Sequence, residues 1–277
     1  MHSFVSFNGE MLPNSAASLP AVSSAAFYGR GVFTTLAVYR GKPFLWELHE
    51  KRLRENATQI GVDLRDLNFD TLKNNLFELI KVNSLNNGRA RITLFDSRSS
   101  PLWQSEITGK TDVLMTTAEE RKTPEKGLTL TVSPFRINSV SPLTGVKSCN
   151  YLENVLALEA ANKQNFGEAV RLNEHGEIVS ATMANLFWTR DEQIFTPALK
   201  TGALAGTTRE CLIGLAKILN IEVVETTALL KDLQTADEIL LTSAGLGICP
   251  VQSLNSQRLS SKISAKIQMA FADLING

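Results

Sequence analysis

Cysteine is scarce: the chain has three in 277 residues, Cys149, Cys211 and Cys249, odd in number and widely spaced. No pair has the spacing of zinc ligands, and a disulfide framework is excluded. An excess of either charge is also lacking. Lys and Arg total 28, Asp and Glu total 28, and the formal net charge is zero, so nothing marks a nucleic-acid or anionic-membrane partner. No apolar run approaches the roughly 18 residues a membrane span requires. The opening segment, Met1-His-Ser-Phe-Val-Ser-Phe, has no basic stretch followed by an apolar core and a small-residue cleavage site. Internal repeats and low-complexity tracts are missing too. These absences predict a cytoplasmic protein that acts on small molecules.

What is present is ordinary in bulk, with 43% hydrophobic and 20% charged residues, and long enough for two domains. Residues 32–39 alternate as a strand, and Gly41-Lys-Pro43 makes a turn. A helical stripe runs through Leu48, Leu53, Ala57 and Ile60, and a second through Leu72, Leu76, Leu79 and Ile80. Strands are predicted at 89–95 and 112–117. The polar stretch 118–127 carries no periodicity and suggests a boundary, giving domains 1–120 and 121–277. Beyond it the pattern predicts strands at 128–137, 168–172, 184–189 and 238–242, with helices at 150–164, 206–219 and 261–274.

Four segments carry chemistry. Lys147, in Gly145-Val-Lys147-Ser-Cys-Asn150-Tyr151-Leu, sits at a junction between strand and helix. Such a lysine becomes a nucleophile when it is partly desolvated or has a cationic neighbour. Arg52, early in a helix, offers a planar fork of donors to a phosphate, although a charged helix face would look the same. Gly206-Thr207-Thr208-Arg209 opens another helix, where backbone N–H groups and the dipole could hold an anion or a threonine could simply cap the helix. Thr242-Ser243-Ala244-Gly245-Leu-Gly247 follows a strand with residues small enough for close approach of a ligand, or for a tight turn. His2 and His175 read as tail and turn residues, His49 as a packing or capping residue. Ser97 to Ser100, with Arg98 and Trp103, read as a loop over the active site or a plain surface loop.

Taken together and in order, these segments resemble the class-IV aminotransferases. These are the fold-type-IV pyridoxal-phosphate enzymes, which include branched-chain and D-amino-acid aminotransferases and aminodeoxychorismate lyase. The resemblance rests on Phe27-Tyr28-Gly29-Arg30-Gly31-Val32-Phe33, His49-x-x-Arg52-Leu53, the Lys147 segment, Asn185-Leu-Phe187, Gly206-Thr207-Thr208-Arg209 and Pro250-Val251. It implies an α/β (α+β) fold of two domains, a small N-terminal α/β domain and a larger C-terminal one, with pyridoxal 5'-phosphate between them in a homodimer. It further implies that Lys147 holds the cofactor as a Schiff base and moves the α-proton. Arg52, Thr207, Thr208 and Ser243 would bind the phosphate, and Tyr151 and Ser180 would contact the cofactor. Tyr28, Arg30, Thr35 and Ala244 would meet an amine or keto-acid substrate.

The chain departs from that family where a glutamate usually meets the pyridine nitrogen. The position is Ser180, whose hydroxyl can hydrogen-bond the ring but cannot hold a proton there electrostatically. Glu177, three residues earlier, would point to the opposite face of a strand. An unprotonated ring follows, and restoring the acid at 180 is expected to speed transamination. Arg30 stands where aspartate is common, either as a carboxylate clamp or as a turn residue. Thr34-Thr35 and Ser243-Ala244 look like the lyase. Three functions stay open: an amino-acid aminotransferase, aminodeoxychorismate lyase releasing pyruvate and 4-aminobenzoate, or a cofactor-binding protein with little turnover.

Overall fold

A computed structural model describes residues 1–98, 110–124, 126–255, 257–260 and 262–276. The loop expected at Ser97–Ser100 lies outside these from Ser99 onward, as does Trp103. The chain divides into two compact units, one of Met1–Arg121 with Val146–Tyr151, the other of Lys122–Gly145 with Leu152–Gly277.

The first unit contains β1 (Phe4–Phe7), β2 (Glu10–Pro13), α1 (Ser24–Tyr28), β3 (Gly31–Tyr39), β4 (Lys42–Pro43), α2 (Trp46–Gln59), α3 (Phe69–Val82), β5 (Gly88–Asp96) and β6 (Thr111–Glu119). Its strands form one antiparallel sheet in the order β2-β1-β6-β5-β3-β4. Val32, Leu36 and Val38 of β3 project to one face with Ala90, Ile92 and Leu94 of β5. They meet Leu53 and Ala57 of α2 and Leu72, Leu76 and Leu79 of α3 in a single apolar core. The Asn68 side chain accepts from Thr71 N–H at 2.9 Å and starts α3. The N-terminal segment is a strand rather than a tail. Ser6 pairs with Met115, and His2 is bonded to Thr117 at 2.8 Å.

The second unit contains β7 (Leu128–Ile137), α4 (Leu152–Asn162), β8 (Glu168–Asn173), β9 (Ile178–Ala181), β10 (Asn185–Arg190), β11 (Gln193–Pro197), α5 (Thr207–Ile218), β12 (Val223–Thr226), α6 (Leu230–Gln234), β13 (Glu238–Ser243), β14 (Gly247–Leu254), β15 (Gln257–Arg258) and α7 (Lys262–Asn276). Its sheet runs β12-β11-β10-β13-β14-β7-β8-β9, with β15 on β14. The pairs β11–β12, β14–β7 and β7–β8 are parallel. The helix expected from Asn150 opens at Leu152, which leaves Lys147 and Tyr151 in an extended segment attached to the first unit. Glu238 accepts from Ile263 N–H at 2.7 Å and Ser264 N–H at 2.8 Å, capping α7 with a buried carboxylate.

Candidate active site

In the first unit, His49, Arg52 and Asn56 lie at spacings of three and four along α2 and therefore share one face. All three are buried. Thr34 on β3 joins them. Arg52 Nη2 donates to the Thr34 hydroxyl at 2.9 Å, and that oxygen lies 2.7 Å from His49 Nδ1. A relay in which Arg52 donates to Thr34 and Thr34 donates to His49 fits these two contacts with a neutral imidazole. Burial, with the charges of Arg52 and Lys147 after it, holds the imidazole pKa well below its ordinary value. The histidine read as a packing residue is thus tied into the arginine's hydrogen-bond set.

Val146–Tyr151 lies along β3. Phe33 N–H donates to Lys147 C=O at 2.9 Å and Cys149 N–H to Gly31 C=O at 2.8 Å, with a bridge between Val32 and Ser148. Lys147 N–H donates to Asn56 Oδ1 at 2.8 Å, so the lysine backbone is held from both β3 and α2. Its Nζ stands 4.4 Å from the centre of the Phe33 ring and 4.7 Å from that of Tyr151, and donates to Tyr151 Oη at 3.4 Å. Arg91 of β5 lies over the same Phe33 ring, its Cζ 3.7 Å from the centroid. Burial first, then the cations Arg52 and Arg91, draw the lysine pKa down from 10.5 to about 7. At neutral pH much of this amine is therefore unprotonated, as a nucleophile requires.

The order of motifs has a steric cause at two glycines. Gly29, at φ +60°, ends α1, and a Cβ there would lie 2.6 Å from Asn150 Oδ1. The Asn150 amide donates to Gly29 C=O at 3.2 Å, binding the motif at 27–33 to the lysine segment. In the second unit, a Cβ on Gly206 would collide with Asn185 Oδ1, while Asn185 Nδ2 donates to Leu204 C=O at 2.8 Å.

Gly206 is itself the N-cap of α5, and no side-chain oxygen caps that helix. This corrects the alternative that Thr207 or Thr208 serves as the cap. Both threonines are buried in the first turn, where the N–H groups and the dipole favour an anion. Ser180 is partly buried on β9. Glu177 is engaged by Asn173 Nδ2 at 2.7 Å and gives Ser180 no carboxylate. The turn from β9 to β10 hangs on buried Glu168. Its carboxylate accepts from Thr182 N–H at 2.9 Å, Met183 N–H at 3.2 Å and the Thr182 hydroxyl, and burial raises its pKa against those bonds. Ser243 Oγ accepts from Leu246 N–H at 3.2 Å inside the β13–β14 turn, and Ala244 is in the same turn.

Thr35 on β3 is the register partner of Arg91. Tyr28 ends α1, 39% exposed. Arg30 is a brace: its Nε donates to Ile60 C=O at 3.1 Å and lies 3.5 Å from Asp96, which argues for the turn reading over the carboxylate clamp. The pattern had left out Arg91, Asn56 and Thr34's hydrogen bonds. Only the polar repeat 49-52-56 on an otherwise apolar helix face signalled any of them.

Residues 31–254 match the family described as amino-transferase class IV. The aminodeoxychorismate lyase of Bacillus subtilis (strain 168) is 28% identical over 273 residues, covering 95% of this chain and 92% of that protein. The branched-chain-amino-acid aminotransferase of Escherichia coli (strain K12) is 27% identical over 289 residues, covering 99% and 93%. The crystal structure of the Escherichia coli branched-chain amino acid aminotransferase superposes with a TM-score of 0.89 at 28% identity, covering 99% of this chain and 95% of that one.

Proposed function

This chain belongs to the class IV amino-transferase family, and from that premise we propose a pyridoxal-phosphate enzyme that moves the amino group of a small amino acid to a keto acid, with Lys147 as its catalytic amine. The observation that carries the reading is the lysine's setting. A partly enclosed amine with a pKa of about 7, next to two arginines, fits an anionic aldehyde cofactor. An anion would relieve the same strain that draws Arg52 down to about 10, where burial is the main cause and the Tyr151 phenol opposes it.

When bound, the cofactor supplies an electron-withdrawing aldehyde that takes up the substrate amine and lets its α-proton leave. The chain does the rest. Lys147 would hold the cofactor through its amine and, freed by the incoming substrate amine, its neutral Nζ would take the proton from the α-carbon; delivering that proton to the cofactor side rather than back to the α-carbon is what would leave a keto acid. Tyr151 Oη, within hydrogen-bond reach of Nζ, steers the amine. Arg52, the first-turn N–H groups at Thr207 and Thr208, and Ser243 would hold the phosphate, and Ser180 would meet the ring nitrogen. Arg91, with part of its surface exposed, would offer a planar fork to a substrate carboxylate, and Tyr28, Thr35 and Ala244 would be further substrate contacts.

A second reading, aminodeoxychorismate lyase, is favoured by Ser180. Elimination depends less on a protonated ring because the leaving group carries the electrons away. The match to a lyase and to an aminotransferase at nearly equal identity also keeps it in play. A homodimer goes with either reading: Leu152, Val155 and Leu156 present an apolar stripe on α4, exposed by 67%, 37% and 45%. No helix among the described residues is long and apolar enough to cross a membrane, in keeping with cytoplasmic metabolites as substrates.

Borohydride reduction of the reconstituted protein followed by peptide mapping should place the cofactor on Lys147 and find none in Lys147→Ala. Keto acid formed from amino acids, or 4-aminobenzoate formed from aminodeoxychorismate, then decides between the two reactions. A label on any other residue overturns the assignment.

A further inference from the structure

We infer that Arg171 is a positioning residue which, together with Ser180, keeps the cofactor's ring nitrogen unprotonated. This rests on the reading that Ser180 meets that nitrogen.

Arg171 on β8 is wholly buried, and its register partner across the antiparallel ladder is Ser180 on β9. Directly paired residues project to the same face. Their immediate neighbours Val170, Leu172 and Ala181 enter the apolar core of the second unit, and a bulge in the ladder just beyond the Arg171–Ser180 pair lets Ile178 do the same, so Arg171 and Ser180 leave on the other face, toward α4. There Nη1 donates to Asn154 Oδ1 at 2.8 Å, and Nη2 lies 3.5 Å from Glu153, which is 63% exposed. A solvated carboxylate at that distance neutralises a buried cation only in part.

A base beside Ser180 therefore faces a positive charge and a hydroxyl able to donate, with no carboxylate at position 180 to hold a proton. Both influences favour the lone pair as a hydrogen-bond acceptor. Serine in place of a carboxylate would by itself predict that Ser180→Glu restores a protonated ring. With Arg171 in register, the introduced carboxylate pairs with the guanidinium, and the ring gains little.

The test is ring-15N pyridoxal phosphate bound to the protein, its nitrogen shift followed from pH 6 to 9. The wild type should show the unprotonated signal throughout. Arg171→Met should raise the titration midpoint by about one to two pH units, the effect of removing a unit charge one side chain away at an effective dielectric near 20. Asn154→Asp, which keeps the shape and neutralises the guanidinium, should move it the same way and serves if Arg171→Met does not fold. Ser180→Glu should move it by less than the Ser180→Glu/Arg171→Met pair. A protonated wild-type ring, or an unmoved midpoint in the folded variants, overturns the inference. Borohydride mapping on the same samples separates the two failures. Label on Lys147 with a protonated ring defeats this inference alone, whereas no label on Lys147 defeats the functional reading and takes this one with it.

Discussion

Replacing Lys147 by methionine should stabilise the cofactor-free protein at neutral pH and do so less as the pH rises. The folded-state pKa is about 7 against an ordinary 10.5, so between those values the unfolded chain binds a proton that the folded chain does not. Stability then rises with pH across that window. The cost of the lysine is fully present below about pH 7 and fades toward pH 10.5. The whole shift corresponds to ~5 kcal/mol at 1.36 kcal/mol per unit. Water reaching the partly enclosed ammonium lowers the realised cost to ~1–3 kcal/mol. For a chain of this size that is about 3–10 °C in Tm. Paired melting curves of wild type and Lys147→Met, both free of cofactor, at pH 6.5 and pH 9.5 measure it. The difference between the two proteins cancels every titration not coupled to Lys147, leaving His49 as the coupled neighbour. A variant that gains equally at both pH values, or loses stability at pH 6.5, would refute a lysine strained by burial and by its arginine neighbours.

Asn56→Ala removes the acceptor of Lys147 N–H and should cost ~1–3 kcal/mol, with slower cofactor attachment followed by absorbance. A Gly206→Ala change forces a methyl group into Asn185. It should lower the melting temperature and weaken binding of pyridoxal phosphate about tenfold or more by equilibrium dialysis, since the first turn of α5 must shift. Glu238→Ala uncaps α7 and should cost ~1–2 kcal/mol in a denaturant titration. It should leave cofactor affinity unchanged, which separates loss of stability from loss of the site.

Much of this was legible because local pattern and global fold agree. The two stripes on α2 and α3 and the long strands β3, β5 and β7 follow directly from apolar periodicity. What escaped had physical reasons. The β10–β11 hairpin turns on Asp191 and Glu192, both at positive φ, where the usual glycine or asparagine signal is missing. β9 and β12 are four residues each, too short to show a period. Every residue of β8 is buried, as in strands covered on both faces, so alternation says nothing about which side chain looks where. That is why Arg171 went unread. In Glu-Ala-Val-Arg-Leu-Asn it is one of two charges in a buried run, and only the register with Ser180 gives it a face and a neighbour. Arg91 is the same case in β5, since nothing in its own strand says that Phe33 and Lys147 lie beside it. Chemistry carried by one residue with its local frame, as at Lys147 or Gly206, is written in contiguous sequence. Chemistry set by a cross-strand partner is written in the pairing, and Arg91 and Arg171 belong to the second kind.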